Sequence, residues 1–211
     1  MDGGNMRDNS QEGKPPTHSA NVSWREMKID RAARALNMGQ RPKVLWLTGL
    51  SGAGKSTIAD RLEQKFQASG KHTYLLDGDN LRHGLNRDLG FSLTDRDENV
   101  RRVGEVAQLM VDAGLIVIVA LISPFRSQRD AARALAREGE FVEIFIDTPL
   151  AVCESRDPKG LYARARKGEI SDFTGIDSPY EPPLKPELRF NTDQLPVDDV
   201  VDEILRFLAR N

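Results

Sequence analysis

The chain has 211 residues, enough for one domain built around a single sizeable core. Hydrophobic residues make up 39% and charged residues 29%, and a formal net charge of -2 excludes a global basic field for wrapping nucleic acid. No apolar run reaches the roughly 18 residues that span a bilayer, and the N-terminus lacks the apolar core of a signal peptide. The expectation is a cytoplasmic protein with no nucleic-acid or membrane partner. Its single cysteine, Cys153, excludes an intrachain disulfide and reads as a small buried apolar residue rather than a nucleophile.

Residues 1–22 are polar and rich in Gly, Asn, Ser and Pro, too poor in apolar surface to offset the entropy of ordering, and predict a flexible tail ahead of a domain at 23–211. A short helix follows, with Ile29, Ala32, Ala33 and Leu36 on one face, a face that needs either the core or a second subunit to cover it. From Lys43 strands alternate with helices. Val44-Leu45-Trp46-Leu47 is a short apolar run ending before glycine, hence a buried strand. Ile58, Leu62 and Phe66 recur at helical spacing over 55–69, and Gly70 stops that helix. Thr73–Leu76 is a second strand ending at Asp77. Asp95 is placed to cap a helix carrying Val100, Val103, Val106, Ala107 and Met110, stopped by Gly114. Leu115–Ile122 is the longest apolar run, the pattern of a central parallel strand buried on both faces. A helix over 128–137, a strand over 141–146 and a closing helix bearing Val200, Val201, Ile204, Leu205 and Leu208 complete an α/β fold with a mostly parallel sheet.

Gly49-Leu50-Ser51-Gly52-Ala53-Gly54-Lys55-Ser56 matches G-x-x-x-x-G-K-[ST] in full, after a strand and opening a helix. Glycines let the backbone turn so that successive N–H groups face phosphate oxygens, and the helix N-terminus adds partial positive charge. Lys55 reaches the β- and γ-phosphates of ATP, and the Ser56 hydroxyl is a ligand for Mg²⁺. With this loop the α/β pattern becomes a three-layer sandwich of the P-loop nucleoside-triphosphate hydrolase type.

A guanine-nucleotide switch would need an N-K-x-D element after a later strand; Asn86-Arg87-Asp88 lacks both the lysine and the strand. A motor or transport ATPase would need more chain. A compact kinase remains, and it needs an acceptor pocket at the carboxyl ends of the strands and a lid against water. Asp77-Gly78-Asp79-Asn80 opens the acceptor side: Asp79 can take the proton of an acceptor hydroxyl, and Asp77 can orient Mg²⁺ through water. An aspartate-rich turn is the alternative. Arg82, Arg96, Arg101 and Arg102 follow, with Phe91 and Asn99 between them, suited to oxyanions and a stacked base, although adjacent helical residues point apart and one of Arg101 and Arg102 belongs to solvent. Ser123, closing the long strand, can hydrogen-bond substrate or carry the phosphoryl group, but no histidine lies near it in sequence to act as base. The basic stretch 155–167, hinged at Pro158 and Gly160 and followed by Phe173-Thr174-Gly175, is either a lid over about 155–175 or an exposed basic helix.

Taken together these residues resemble the adenylyl-sulfate kinase family. The resemblance rests on Leu45–Thr57, on Asp77-Gly78-Asp79-Asn80-Leu81-Arg82, on Asn86–Ser92, on Asp95-Arg96 with Glu98–Arg102, on Ile122-Ser123-Pro124-Phe125-Arg126, on Arg156–Tyr162 and on Phe173-Thr174-Gly175-Ile176. It covers about residues 25–210. It implies ATP and adenosine 5′-phosphosulfate as substrates and 3′-phosphoadenosine 5′-phosphosulfate as product, in sulfate assimilation. It adds Thr57, Arg156 and Leu195 to the ATP side, beside Gly49, Ser51, Gly52, Ala53, Gly54, Lys55 and Ser56. On the acceptor side it implies contacts from Asp79, Asn80, Leu81 and Arg82, an adenine held between Phe91 and Phe173, and further contacts from Arg96, Asn99, Ile122, Ser123 and Lys159. Ser123 matches the position described in the family as a phosphoserine intermediate. The resemblance also implies a homodimer and a functional pairing with ATP sulfurylase. Two other readings stay open on the residues themselves: a kinase of another hydroxylated metabolite such as gluconate or shikimate, and a non-catalytic nucleotide sensor.

Overall fold

Strand β1 (Lys43–Thr48) is buried along its whole length, and its side chains alternate between two helix layers. Leu45 and Leu47 join a core with Ile58, Leu62 and Phe66 of α2 (Lys55–Ala68) and Val200, Val201 and Ile204 of α8 (Val197–Arg210). Val44 and Trp46 face the other way, onto Val100, Val103, Ala107 and Val111 of α4 (Leu93–Asp112) and Ala132 of α5 (Arg126–Ala134). Each such side chain contributes about 1.5–3 kcal/mol by leaving water, so a strand apolar on both faces is stable only between two layers. In this computed structural model Ser23, Arg25 and residues 27–210 are described; the tail expected at 1–22 lies outside the described residues.

The sheet is wholly parallel, in the order β2 (Thr73–Asp77), β3 (Ile116–Ala120), β1, β4 (Phe141–Ile146), β5 (Leu188–Phe190). Thr48, Asp77, Ala120 and Ile146 therefore end at one edge, where a ligand crevice forms. The longest apolar run, expected to be central, is β3 and lies second in the order; β1 holds the centre. The helix expected to start at the Asp95 cap starts at Leu93, capped by the Ser92 hydroxyl, which accepts from the Asp95 amide at 3.2 Å. β5 passes unseen in the sequence because it is three residues long and lies among prolines. Also unread were the five-residue α3 (Gly78–Arg82) and the division of the basic segment into α6 (Leu150–Arg156) and α7 (Leu161–Arg166).

Helix α1 (Arg31–Met38) docks by the face opposite to its apolar one. Asp30 caps it, accepting from the Ala33 amide at 2.8 Å, and Gly39 ends it in the left-handed conformation. Arg31 is buried and pairs with Glu140 at 2.7 Å, while Arg34 pairs with Asp112. Met38 and Arg34 lie close over Gly114. Ile29 and Leu36 remain exposed, Leu36 at 82%. Arginine stems cover apolar surface and their guanidiniums find carboxylates, so a helix can bind through charges that a hydrophobic pattern ignores.

Leu62→Ala, which empties a fully buried site between α2 and the sheet, is expected to lower unfolding free energy by about 2–5 kcal/mol, whereas Leu184→Ala at an exposed site shifts it by no more than about 0.5 kcal/mol. Urea denaturation followed by circular dichroism measures both.

Candidate active site

The phosphate loop bridges β1 and α2 and is pressed against the end of β4 and against α6. A Cβ on Gly49 would stand 2.4 Å from the Ile146 carbonyl oxygen, and one on Gly52 would stand 2.9 Å from that of Cys153. Any side chain at either position forces the loop away from its supports. Tyr162 of α7 holds the loop from the lid side, its phenol donating to the Ser51 carbonyl at 2.9 Å. The Lys55 ammonium donates to the carbonyls of Gly49 and Leu50 at 2.9 and 2.7 Å. Burial lowers its pKa to about 8, and the charge of Lys159 adds to the effect. A buried cation met only by neutral carbonyls is well placed to take an anion.

Ser56 and Asp77 converge: the Ser56 hydroxyl donates to an Asp77 carboxylate oxygen at 2.6 Å. The other Asp77 oxygen caps α3 by accepting from the Asp79 amide at 3.0 Å. Asp79 itself is exposed on the first turn of α3 and forms an ion pair with Lys159, which stands between α6 and α7. The segment between α6 and α7 thus reaches α3 through Lys159. The other cations of the basic stretch divide. Arg156 donates to the Thr192 hydroxyl at 2.8 Å and to its carbonyl at 2.9 Å, three residues ahead of Leu195. Arg164 and Arg166 pair outward with Glu169 and Glu154.

On the acceptor wall the Arg82 guanidinium lies 4.3 Å from the centroid of the Phe91 ring, which is 61% exposed. Phe173 packs edge-on against Tyr162, ring centroids 5.0 Å apart. Phe91 and Phe173 lie on separate segments, and Arg96 joins the two: it donates to the Phe91 carbonyl at 2.9 Å, to the Thr174 hydroxyl at 2.6 Å and to the Asp172 carbonyl. Burial, and then the charge of Arg96, lowers the Arg82 pKa against the opposing charge of Asp95. Asn80 and Leu81 sit with Arg82 on α3. Asn99 is buried on α4, its side-chain oxygen accepting from the Asn86 amide at 3.0 Å. Arg101 and Arg102 are spent on carboxylates, Arg101 on Glu98 and Arg102 on Glu98 and Asp88.

Ser123 follows Ile122 past the end of β3, buried and at φ +38°, in the left-handed region that non-glycine residues seldom adopt. Its hydroxyl accepts from the Trp46 indole at 3.1 Å and donates to the Thr48 hydroxyl at 3.1 Å. Thr48 passes its own proton to the Ile122 carbonyl at 2.7 Å, so Tyr180, 2.9 Å away, is the donor in the remaining contact. Every proton in this chain of hydroxyls is accounted for, and the chain ends on a carbonyl rather than a base.

A model of the family described as adenylylsulphate kinase matches residues 41–191, from just before β1 to just past β5. The chain belongs to the adenylylsulphate kinase family. It is 61% identical over 189 residues to the adenylyl-sulfate kinase of Aeromonas hydrophila, covering 90% of this chain and 96% of that protein. It is 59% identical over 191 residues to the bifunctional enzyme CysN/CysC of Xylella fastidiosa, covering 90% of this chain and 31% of that longer one. Among solved structures it is similar to the Mycobacterium tuberculosis APS kinase CysC in complex with AMPPNP and APS, with a TM-score of 0.77 and 51% identity over 80% of this chain and 98% of that one.

This adenylylsulphate kinase site contains residues that sequence reasoning passed over. The Thr148 and Thr192 hydroxyls lie 2.7 Å apart and within 3.1 and 2.9 Å of the Ala53 carbonyl; one proton runs between the two hydroxyls and the other to that carbonyl, which ties the phosphate loop to the ends of β4 and β5. For Thr148 the signal was a hydroxyl residue just beyond a strand end; Thr192 follows a strand that the sequence hid. Asn86, fully buried beneath Asn99, entered the sequence reading only as the start of the Asn86–Ser92 block and with no role of its own, since nothing local announces a buried amide pair. Cys153 is buried with burial raising its pKa, as expected of an inert thiol.

The lowered Lys55 pKa has a measurable sign. A bound polyphosphate stabilises the ammonium, so the pKa rises on binding and protons are taken up as the pH passes above about 8. ATP affinity is expected to fall with pH from about 8 upward, and Lys55→Met to abolish that dependence along with most binding. Titration calorimetry in buffers of different ionisation enthalpy reads the proton uptake directly.

Proposed function

We propose that this chain transfers the γ-phosphoryl group of ATP to the ribose 3′-hydroxyl of adenosine 5′-phosphosulfate, giving ADP and 3′-phosphoadenosine 5′-phosphosulfate. What carries the reading is the grouping beside the phosphate loop: Asp79 paired with Lys159, Arg82 on the face of Phe91, and Arg96 joining the segments of Phe91 and Phe173. Such a grouping suits a planar base and an oxyanion together. A sugar acid would leave the aromatic faces unused, and a nucleotide sensor would have no use for Asp79.

The glycines and backbone of the loop, with Ser51, Ala53 and Thr57, cradle the phosphates of ATP, while Arg156 and the segment at Leu195 border its adenine. Mg²⁺ fits the hard oxygens of Ser56 and Asp77, which converge at 2.6 Å; when bound it offsets negative charge on the phosphoryl group. Asn80, Leu81, Asn99, Ile122 and Ser123 complete the acceptor side. Substrate exchanges the Lys159–Asp79 pair for two new contacts: Lys159 turns to an oxyanion, and Asp79 accepts from the 3′-hydroxyl and orients it in line with the γ-phosphorus. Lys55 and Lys159 stabilise charge as it develops, and residues 155–175 exclude water.

Transfer is direct. A phosphoserine route would need a base to activate Ser123, and its proton is already committed to Thr48. Residues 23–211 act as one kinase domain, in the cytoplasm and functionally paired with ATP sulfurylase.

An ADP-release assay with adenosine 5′-phosphosulfate, gluconate, shikimate and no acceptor tests the substrate; turnover restricted to the first is expected. In the same assay Asp79→Asn should lower kcat by about 10²-fold or more with ATP binding retained, and Ser123→Ala should keep substantial activity. Near-normal turnover of Asp79→Asn removes its role, and an inactive but folded Ser123→Ala restores the covalent route.

The exposed face at Ile29 and Leu36 is the contact of a homodimer in this reading. Sedimentation of the native chain should give twice the monomer mass, and Leu36→Asp should shift it toward the monomer.

A further inference from the structure

Arg129 of α5 is 2% exposed, the most deeply buried charged side chain among the described residues. Its Nε donates to Glu143 of β4 at 2.8 Å, which balances the charge. Its other two nitrogens go to backbone carbonyls of two segments distant in the chain: Ser123 at 2.6 Å, just past β3, and Glu181 at 2.7 Å, on the segment that returns from the lid. The guanidinium also lies 5.7 Å from the Tyr180 ring centroid. A buried ion pair is on balance no more stabilising than apolar packing of the same volume, so stability alone does not account for an arginine here. What a planar fork does, and an apolar chain cannot, is fix the separation of two carbonyls.

One of the two segments is Ile122–Pro124, bent through the left-handed Ser123. The other is the strap 172–182. Arg96 holds its beginning through Asp172 and Thr174, and its end is held by Arg129 on Glu181, by the Glu181 amide donating to the Pro124 carbonyl at 2.8 Å, and by Tyr180 on Thr48. Phe173 rides on this strap.

We propose that Arg129 is a positioning residue for the acceptor: it fastens the end of the strap to the Ser123–Pro124 backbone and thereby sets the place of Phe173 and the fit of the acceptor nucleotide, without touching substrate. The inference rests on the acceptor reading given above. The phosphate loop makes no contact with Arg129 among the bonds that fix its position, so the ATP side is expected to be indifferent to it.

The test is steady-state kinetics of Arg129→Lys, which keeps a cation beside Glu143 and loses the fork, and of Tyr180→Phe, which frees the strap from Thr48 and keeps the ring. Arg129→Lys should raise KM for adenosine 5′-phosphosulfate by about tenfold or more with KM for ATP within about twofold, a split that displacement of a positioning contact produces. Tyr180→Phe should move the same constant in the same direction by about threefold. A lowered melting temperature with both KM values at the native level would show a purely structural role and overturn the proposal, as would equal changes in the two KM values. If Arg129→Lys does not fold, Tyr180→Phe decides on the same criteria. Native turnover of adenosine 5′-phosphosulfate tests the acceptor reading separately, so failure of one is distinguishable from failure of the other.

Discussion

The phosphate loop lies against two backbone carbonyls, those of Ile146 and Cys153, at distances that leave no room for a Cβ on Gly49 or Gly52. The rest of the site depends on this contact. It locks the loop to the end of β4 and to α6, so that Lys55, Ser56 and the start of α2 are set relative to the sheet rather than to a free turn. Thr148 and Thr192 complete the clamp through the Ala53 carbonyl, and Tyr162 carries it onto the lid through Ser51.

The site is also organised by where its cations lack carboxylates. Away from it, arginines are neutralised in pairs, such as Arg102 with Asp88 and Glu98, Arg133 with Glu187, and Arg166 with Glu154. Beside the phosphate loop most cations hydrogen-bond to neutral oxygen: Lys55 to two loop carbonyls, Arg82 to those of Leu89 and Gly90, Arg96 to Phe91, Asp172 and Thr174, and Arg156 to Thr192, with Lys159 on Asp79 the exception. Carbonyl dipoles orient a guanidinium without cancelling its charge. These cations stand together within a chain whose net charge is -2, which suits a sulfated nucleotide and a triphosphate.

Much of this was legible in the order of residues. The alternation of apolar runs with helical spacing located β1, β2, β3, β4, α2, α4 and α8, because strands buried on both faces and amphipathic helices write their burial into local periodicity. The loop motif was legible because backbone geometry demands glycines at fixed positions. Less legible were elements whose stability comes from elsewhere. β5 exists by pairing with β4, and α1 docks through Arg31 and Arg34, which a hydrophobic count assigns to solvent.

For this protein, sequence alone determined the fold class and the phosphate loop, since each rests on local periodicity or on a motif whose spacing is its mechanism; the roles of the acceptor-side residues came from resemblance to a family. Tertiary structure decided what those residues touch. Arg96 joins the two phenylalanine segments, Lys159 reaches across to Asp79, Asn86 props Asn99, and Arg129 ties the strap to Ser123. Each of these contacts joins segments distant in the chain, and each runs through a long or branched polar side chain whose partner is chosen by packing. No local pattern encodes such a choice, because the free energy that selects the partner exists only once the sheet has brought the segments together.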